Sequence, residues 1–173
     1  VDVGHHISHA CACHLRQHRF DKTRHINKSH LAWLRLRYLS SIIAPNCTGV
    51  LMHLFVEQLT NVDFSYLDAK RGVVGETWWA SAILEGALDD QGMVCDFGIV
   101  KKTLRQWLDF ELDHRLLVPA KAPGLKIETT SDRVNISMLT GRGIVEMSAP
   151  AQAVTLIDTS EITAESVAAW SIQ

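Results

Sequence analysis

The chain is short of cysteine, short of acids at its beginning and without a long apolar run, and each shortage removes a class of protein. Four cysteines in 173 residues, at positions 11, 13, 47 and 95, are scattered too unevenly to make a disulfide framework for a domain of this size. A reducing compartment, the cytoplasm, is therefore expected. Residues 31–43 are the longest apolar stretch of the first part, but Arg35 and Arg37 interrupt it and it is too short to cross a bilayer. No membrane span is expected. Acids are scarce only at the start: residues 1–51 hold seven Lys/Arg against two Asp/Glu, a balance of +5, whereas residues 52–173 hold ten against seventeen, a balance of −7.

What is present divides the chain in the same place. The length and the 47% hydrophobic content suit one domain with a real core plus an appendage. Residues 1–51 carry seven of the nine histidines, and His5, His6, His9, Cys11, Cys13, His14, His18, His25 and His30 are chemically apt zinc ligands. Their spacing argues against a site, because Cys11 and Cys13 are separated by one residue and no second pair follows. Arg16, Arg19, Lys22, Arg24 and Lys28 have the composition of a transit peptide or a nucleic-acid tail. Nucleic acid is not expected as a partner; the reading favoured is a disordered or non-native extension ahead of a natural start at Met52.

Regular patterns begin at Met52. Residues 52–59 alternate, with Met52, Leu54 and Val56 on one side and Phe55 and Leu59 on the other, which predicts a strand. A glycine-bounded break at residues 72–75 precedes a second strand over 76–87, where Trp78, Ala80, Ala82 and Leu84 share one face and Thr77, Trp79, Ser81, Ile83 and Glu85 the other. Large apolar groups on both faces require a cover on each, a helix on one and a partner subunit or sister domain on the other. Residues 88–92 have the turn chemistry of a hairpin loop that returns the chain into Met93, Val94 and Cys95 as an antiparallel neighbour.

Asp96 is placed to cap a helix whose apolar stripe runs through Ile99, Val100, Thr103, Leu104, Trp107 and Leu108, opposite Lys101, Lys102 and Arg105. Cys95 and Trp107 read as core residues. At the far end lies Asp113-His114, an acid–imidazole pair that could act in proton transfer. A histidine just past a helix C-terminus also gains from the helix dipole when protonated, a purely structural reason for its place. Beyond Pro119 and Pro123, the alternating runs Leu125–Thr129, 133–139 and 143–147 predict a β-meander. Thr163 then caps a second helix with Val167, Ala168 and Trp170 inward, which the chain leaves unfinished at Gln173.

The run Gly92-Met93-Val94-Cys95-Asp96-Phe97-Gly98, the helix after it and Leu112-Asp113-His114-Arg115-Leu116-Leu117 together resemble the 6-pyruvoyl-tetrahydropterin synthase / 6-carboxytetrahydropterin synthase family. Residues 55–118 carry the likeness, and residues 161–168 are similar to the start of the family's second helix. The resemblance implies an α+β tunnelling fold, an antiparallel sheet with helices on one face, that assembles with copies of itself and is truncated here before completion. It implies a lyase of the 6-carboxytetrahydropterin synthase type acting on 7,8-dihydroneopterin triphosphate, with release of acetaldehyde and triphosphate on the path to queuosine and other deazapurines. Family members hold zinc on three histidines, use a cysteine as base and relay protons through an Asp-His pair, which Asp113 and His114 match.

The departures from that pattern shape the expectation. Asp68 stands where the Phe-Ser-x-x-His pattern has its zinc-binding His, and Val74-Gly75-Glu76 replaces the His-x-His pair. The cysteine loop is missing. The resemblance therefore implies zinc for the family but no metal ligand set in this chain, which alone would be inactive. The expected arrangement is an incomplete fragment, the N-terminal half of a tandem member, completed by a missing C-terminal half or by a homo-oligomer. The alternative is a non-catalytic tunnelling-fold module for assembly or for pterin or purine binding. The expected division is an extension over 1–51, strands and first helix over 52–123, the meander over 124–148 and the start of the second helix over 149–173.

Overall fold

The computed structural model describes residues 52–89 and 91–173, together with the backbone of Trp33–Leu39. In chain order the elements are β1 (Trp33–Leu39), β2 (Met52–Asp68), β3 (Gly72–Gly86), α1 (Phe97–Glu111), β4 (Leu116–Pro119), β5 (Leu125–Thr129), β6 (Arg133–Thr140), β7 (Gly143–Pro150), β8 (Val154–Ile157) and α2 (Ala164–Ser171). One sheet has the order β1-β3-β2-β4-β8 and a second the order β5-β6-β7. The α+β class expected from the sequence is the one observed. The larger sheet is mixed, with β2 and β3 antiparallel and the β1–β3, β2–β4 and β4–β8 pairs parallel.

Side-chain alternation splits the larger sheet into two faces with different covers. Val62, Phe64, Tyr66, Trp78, Ala80, Ala82 and Leu84 are buried with Leu108 and Leu112 of the α1 end and with Val167 and Ala168 of α2. Phe64 meets Trp78 edge to face at 4.7 Å between ring centroids, and Trp107 packs on Trp170 at 5.6 Å. On the opposite face Leu67, Leu116, Val118 and Val154 are buried with Val134, Ile136 and Met138 of the smaller sheet. The chain covers part of that second face with its own meander, while Trp79 and Ile83, for which the sequence called for a partner subunit or sister domain, are half-buried.

Four sequence expectations need correction. The first strand does not stop at residue 59: β2 runs to Asp68 through a bulge between Val56 and Thr60, where Gln58 takes a left-handed φ of 50° and donates its N–H to Ser81 Oγ. The extra residues shift the alternation, so Leu59 joins the same core as Val56 instead of facing away. The break expected at residues 72–75 lies within β3; the turn is made one step earlier because the Asp68 carboxylate accepts the Lys70 and Arg71 N–H groups at 2.8 and 2.7 Å. Residues 93–95 form no strand. Both edges of β3 are already occupied, by β2 and by β1, so no hydrogen-bonding edge is left for a returning chain. Asp89 instead closes a tight loop, its carboxylate accepting the Gln91 and Met93 N–H groups, and the chain passes directly into α1.

The fourth correction concerns β1. It falls inside residues 1–51, read as a disordered extension, yet pairs with β3 from Trp33↔Trp79 to Leu39↔Glu85. An open edge of β3 would present a row of unpaired N–H and C=O groups, and β1 occupies it. The histidine and cysteine cluster of residues 5–30 and the basic residues 16–28 lie outside the described residues. Strands β4 and β8 were not anticipated. Leu116–Pro119 is buried on both faces, so it lacks the alternation that marks a half-exposed strand.

Candidate active site

Helix α1 is set at both ends by side chains or backbone geometry that the local sequence dictates. Asp96 Oδ1 accepts the Gly98 and Ile99 N–H groups at 2.9 and 3.1 Å, satisfying two of the helix's orphan donors. At the other end the Leu112 and Asp113 N–H groups both donate to the Leu108 carbonyl, at 2.9 and 3.0 Å. His114 then takes a left-handed φ of 56°, which turns the chain out of the helix and into β4. A left-handed conformation at a non-glycine residue persists only where its surroundings hold it.

Those surroundings are one residue of β2. The Asp63 N–H donates to Asp113 Oδ1 at 2.8 Å, and the His114 N–H donates to the Asp63 carbonyl at 2.6 Å. Two residues on, the Ser65 N–H donates to the Arg115 carbonyl at 3.0 Å and parallel pairing of β2 with β4 begins at Ser65↔Leu116. Asp113 and His114 therefore occupy the point where β4 first meets the sheet. Asp113 Oδ2 lies 2.6 Å from His114 Nδ1, with the carboxylate side chain 24% exposed and the imidazole 80% exposed. On the far side of Asp63, the Thr77 hydroxyl donates to Asp63 Oδ1 at 2.6 Å.

The chemistry follows from which atoms are used. A carboxylate accepting from Nδ1–H fixes the imidazole tautomer and leaves the Nε2 lone pair free to take a proton, while the same carboxylate stabilises the imidazolium once formed. Nε2 belongs to the exposed ring, so a ligand approaching from solvent can reach it. The structure thus joins the two residues singled out in the sequence into one hydrogen-bonded unit. Cys95 sits half-buried against the α1 core in the loop before the helix, not in a strand.

Of the positions that the resemblance matches to metal ligands, Asp68 is engaged in its own turn. Beyond the two backbone N–H groups, the Asp68 carboxylate meets the Arg71 guanidinium at 3.4 Å, and Arg71 also donates to the Tyr66 hydroxyl. Burial pushes the Asp68 carboxyl upward, but the Arg71 and Lys70 N–H groups and the Arg71 charge together outweigh it and hold it below the ordinary aspartate value. Val74 offers no donor atom, and three tetrahedral zinc ligands cannot be made from Asp68 and Glu76 alone. Among the described residues no group of three or more His, Cys, Asp or Glu gathers around a point. Zinc does not fit the residues at these positions. None of the described helices is long and apolar enough to cross a membrane.

A model of the 6-pyruvoyl tetrahydropterin synthase family matches residues 60–173, from the middle of β2 to the end of α2. The chain belongs to the 6-pyruvoyl tetrahydropterin synthase family. Its structure is similar to that of a Plasmodium vivax 6-pyruvoyltetrahydropterin synthase variant in which a catalytic glutamate is replaced by alanine, with 24% identity and a TM-score of 0.54 over 68% of this chain and 73% of that one. The Plasmodium falciparum 6-pyruvoyl tetrahydropterin synthase aligns with 21% identity and a TM-score of 0.53, over 68% of this chain and 72% of that one. The Plasmodium vivax enzyme itself gives 25% identity and a TM-score of 0.50, over 64% and 69%. No curated protein matches the chain. The matched range begins at the bulge of β2, after which Thr60 pairs with Ala80 and Val62 with Trp78.

Asp63 is not singled out by the sequence, and Thr77 is placed only on a face of the second strand. Their contact depends on the register Asp63↔Thr77 across the β2–β3 pair, which a bulge displaces from any simple count. One local signal was available, an aspartate in the middle of a strand. Such residues are disfavoured there, and a broken local rule often marks a site.

Proposed function

We propose that the chain provides the proton-transfer element of a pterin-processing lyase of the 6-carboxytetrahydropterin synthase type, acting on 7,8-dihydroneopterin triphosphate in deazapurine formation. The observation that carries this reading is the Asp113–His114 unit, held at 2.6 Å with its imidazole open to solvent in a fold of this family. Asp113 Oδ2 takes the Nδ1–H, His114 Nε2 accepts a proton from the bound pterin or returns one, and Asp113 balances the imidazolium charge between the two events. The ligand set for the family's zinc has to come from another polypeptide segment, because a second copy of this chain carries the same Asp68 and Val74-Gly75-Glu76 at the matching positions. A homo-oligomer would hold the pterin between subunits.

A second reading is a non-catalytic tunnelling-fold module that binds a pterin or purine or serves assembly. The engagement of Asp68 in its own turn and the Val74-Gly75-Glu76 sequence favour it, since neither supplies imidazoles. One assay separates the two. The chain, assembled with the polypeptide segment that supplies the zinc ligands, is incubated with 7,8-dihydroneopterin triphosphate and zinc, and acetaldehyde, triphosphate and reduced pterins are quantified. His114→Ala is expected to lower turnover by about 10²–10⁴-fold, the usual contribution of a general acid–base group. Pterin binding without turnover, unchanged in His114→Ala, overturns the lyase reading in favour of the binding module.

A further inference from the structure

We infer that Asp63 and Thr77 are positioning residues that keep the Asp113–His114 unit in its productive hydrogen-bonded form. The inference rests on the assignment of that unit as the proton-transfer element. His114 is 80% exposed, so no packed wall restrains its ring; its orientation depends on polar tethers. The bonds from β2 to the pair converge on Asp63: its N–H holds Asp113 Oδ1, its carbonyl holds the His114 N–H, and its own carboxylate is drawn to the Thr77 hydroxyl at 2.6 Å. Asp63 uses its outward backbone edge for these two bonds two residues before regular β2–β4 pairing starts at Ser65. The Asp113 carboxylate therefore plays the part of a strand carbonyl on one oxygen while the other serves the imidazole.

The Thr77 hydroxyl has a second consequence. By donating to Asp63 Oδ1 it ties the Asp63 side chain to β3. Loss of the hydroxyl releases the Asp63 side chain, loosens the torsions of its backbone and blurs the geometry of both bonds to the pair.

The test reads the His114 ring by ¹⁵N NMR in the full chain at a pH where the imidazole is neutral, so it does not depend on turnover or on a pterin. The parent is expected to show the Nδ1–H tautomer for His114. Thr77→Val and Asp63→Ala are expected to lose that tautomer signal and approach the spectrum of Asp113→Asn, while Thr77→Ser restores the parent spectrum. Retention of the parent tautomer in both Thr77→Val and Asp63→Ala, with a folded amide spectrum, overturns the inference. If a variant fails to fold, hydrogen exchange in the parent decides the same point: the Asp63 amide should be protected, and exchange at the rate of an open amide overturns it. A protein that shows the expected tautomer changes yet never acts on 7,8-dihydroneopterin triphosphate would retire the lyase reading and leave the positioning role standing.

Discussion

Gly141→Ala tests the contact that seals the end of the β2–β3 hairpin. The Gly141 N–H donates to the Ala69 carbonyl at 2.9 Å, and a Cβ built on Gly141 would lie 2.7 Å from the Lys70 carbonyl oxygen. That oxygen is backbone, fixed by a turn that Asp68 already holds through the Lys70 and Arg71 N–H groups, so it cannot swing aside as a side chain would. Relief requires the two turns to separate by several tenths of an ångström, which stretches the Gly141–Ala69 bond and loosens the contact of β3 with β7. Overpacking of this kind costs about 1–3 kcal/mol. For a chain of this length each kcal/mol lowers Tm by roughly 2–4 °C, so a fall of about 2–12 °C is expected. Gly75→Ala is the control, because nothing lies within 4 Å of the Cβ it would add, and a change within about 0.5 kcal/mol is expected there. Thermal unfolding followed by circular dichroism compares both variants with the parent. A Gly141→Ala midpoint equal to that of Gly75→Ala would refute the interlocked turns.

Asp68 makes stability depend on acid in a predictable direction. Its folded-state pKa lies below the ordinary value of 3.8, so its stabilisation is present above that value and fades as pH falls through the lower folded one. Urea midpoints of parent and Asp68→Asn should differ near neutral pH and converge below about pH 4; a constant difference across that range would contradict the turn assignment. Asp96→Ala removes the acceptor of two N–H groups at the start of α1 and is expected to cost about 0.5–2 kcal/mol in chemical unfolding. A neutral result would mean the cap is replaced by solvent. Leu108→Ala empties a fully buried position between α1 and the larger sheet, and a loss of about 2–5 kcal/mol is expected, against near-neutrality if the helix is not docked there.

Much of the helical and meander structure was legible in the residues because its causes are local. Asp96 and Thr163 are cap residues by their chemistry, and both cap; Thr163 also forms a reciprocal box with Ser166. The face Trp78, Ala80, Ala82, Leu84 was read correctly because side-chain alternation needs no knowledge of the partner strand. The strand at residues 93–95 was wrongly expected because local turn chemistry says nothing about whether a sheet edge is vacant. β4 and β8 were missed for the related reason that strands buried on both faces lose the alternation by which a strand is recognised. Cys95 illustrates the mixture, half-buried as expected but in a loop.

By itself, the sequence determined where both helices start, one face of β3, the meander and the adjacency of Asp113 to His114. These depend on residue type and on spacing along a few turns or strand steps. Only the tertiary structure decided that β4 runs parallel beside β2, that Asp63 holds both members of the acid–imidazole pair, and that Thr77 holds Asp63. The physical reason is distance along the chain: Asp63 and Asp113 are fifty residues apart. Their hydrogen bonds exist because packing of Leu108 and Leu112 on the sheet delivers the end of α1 to the edge of β2, and no local pattern encodes where a packed helix ends up.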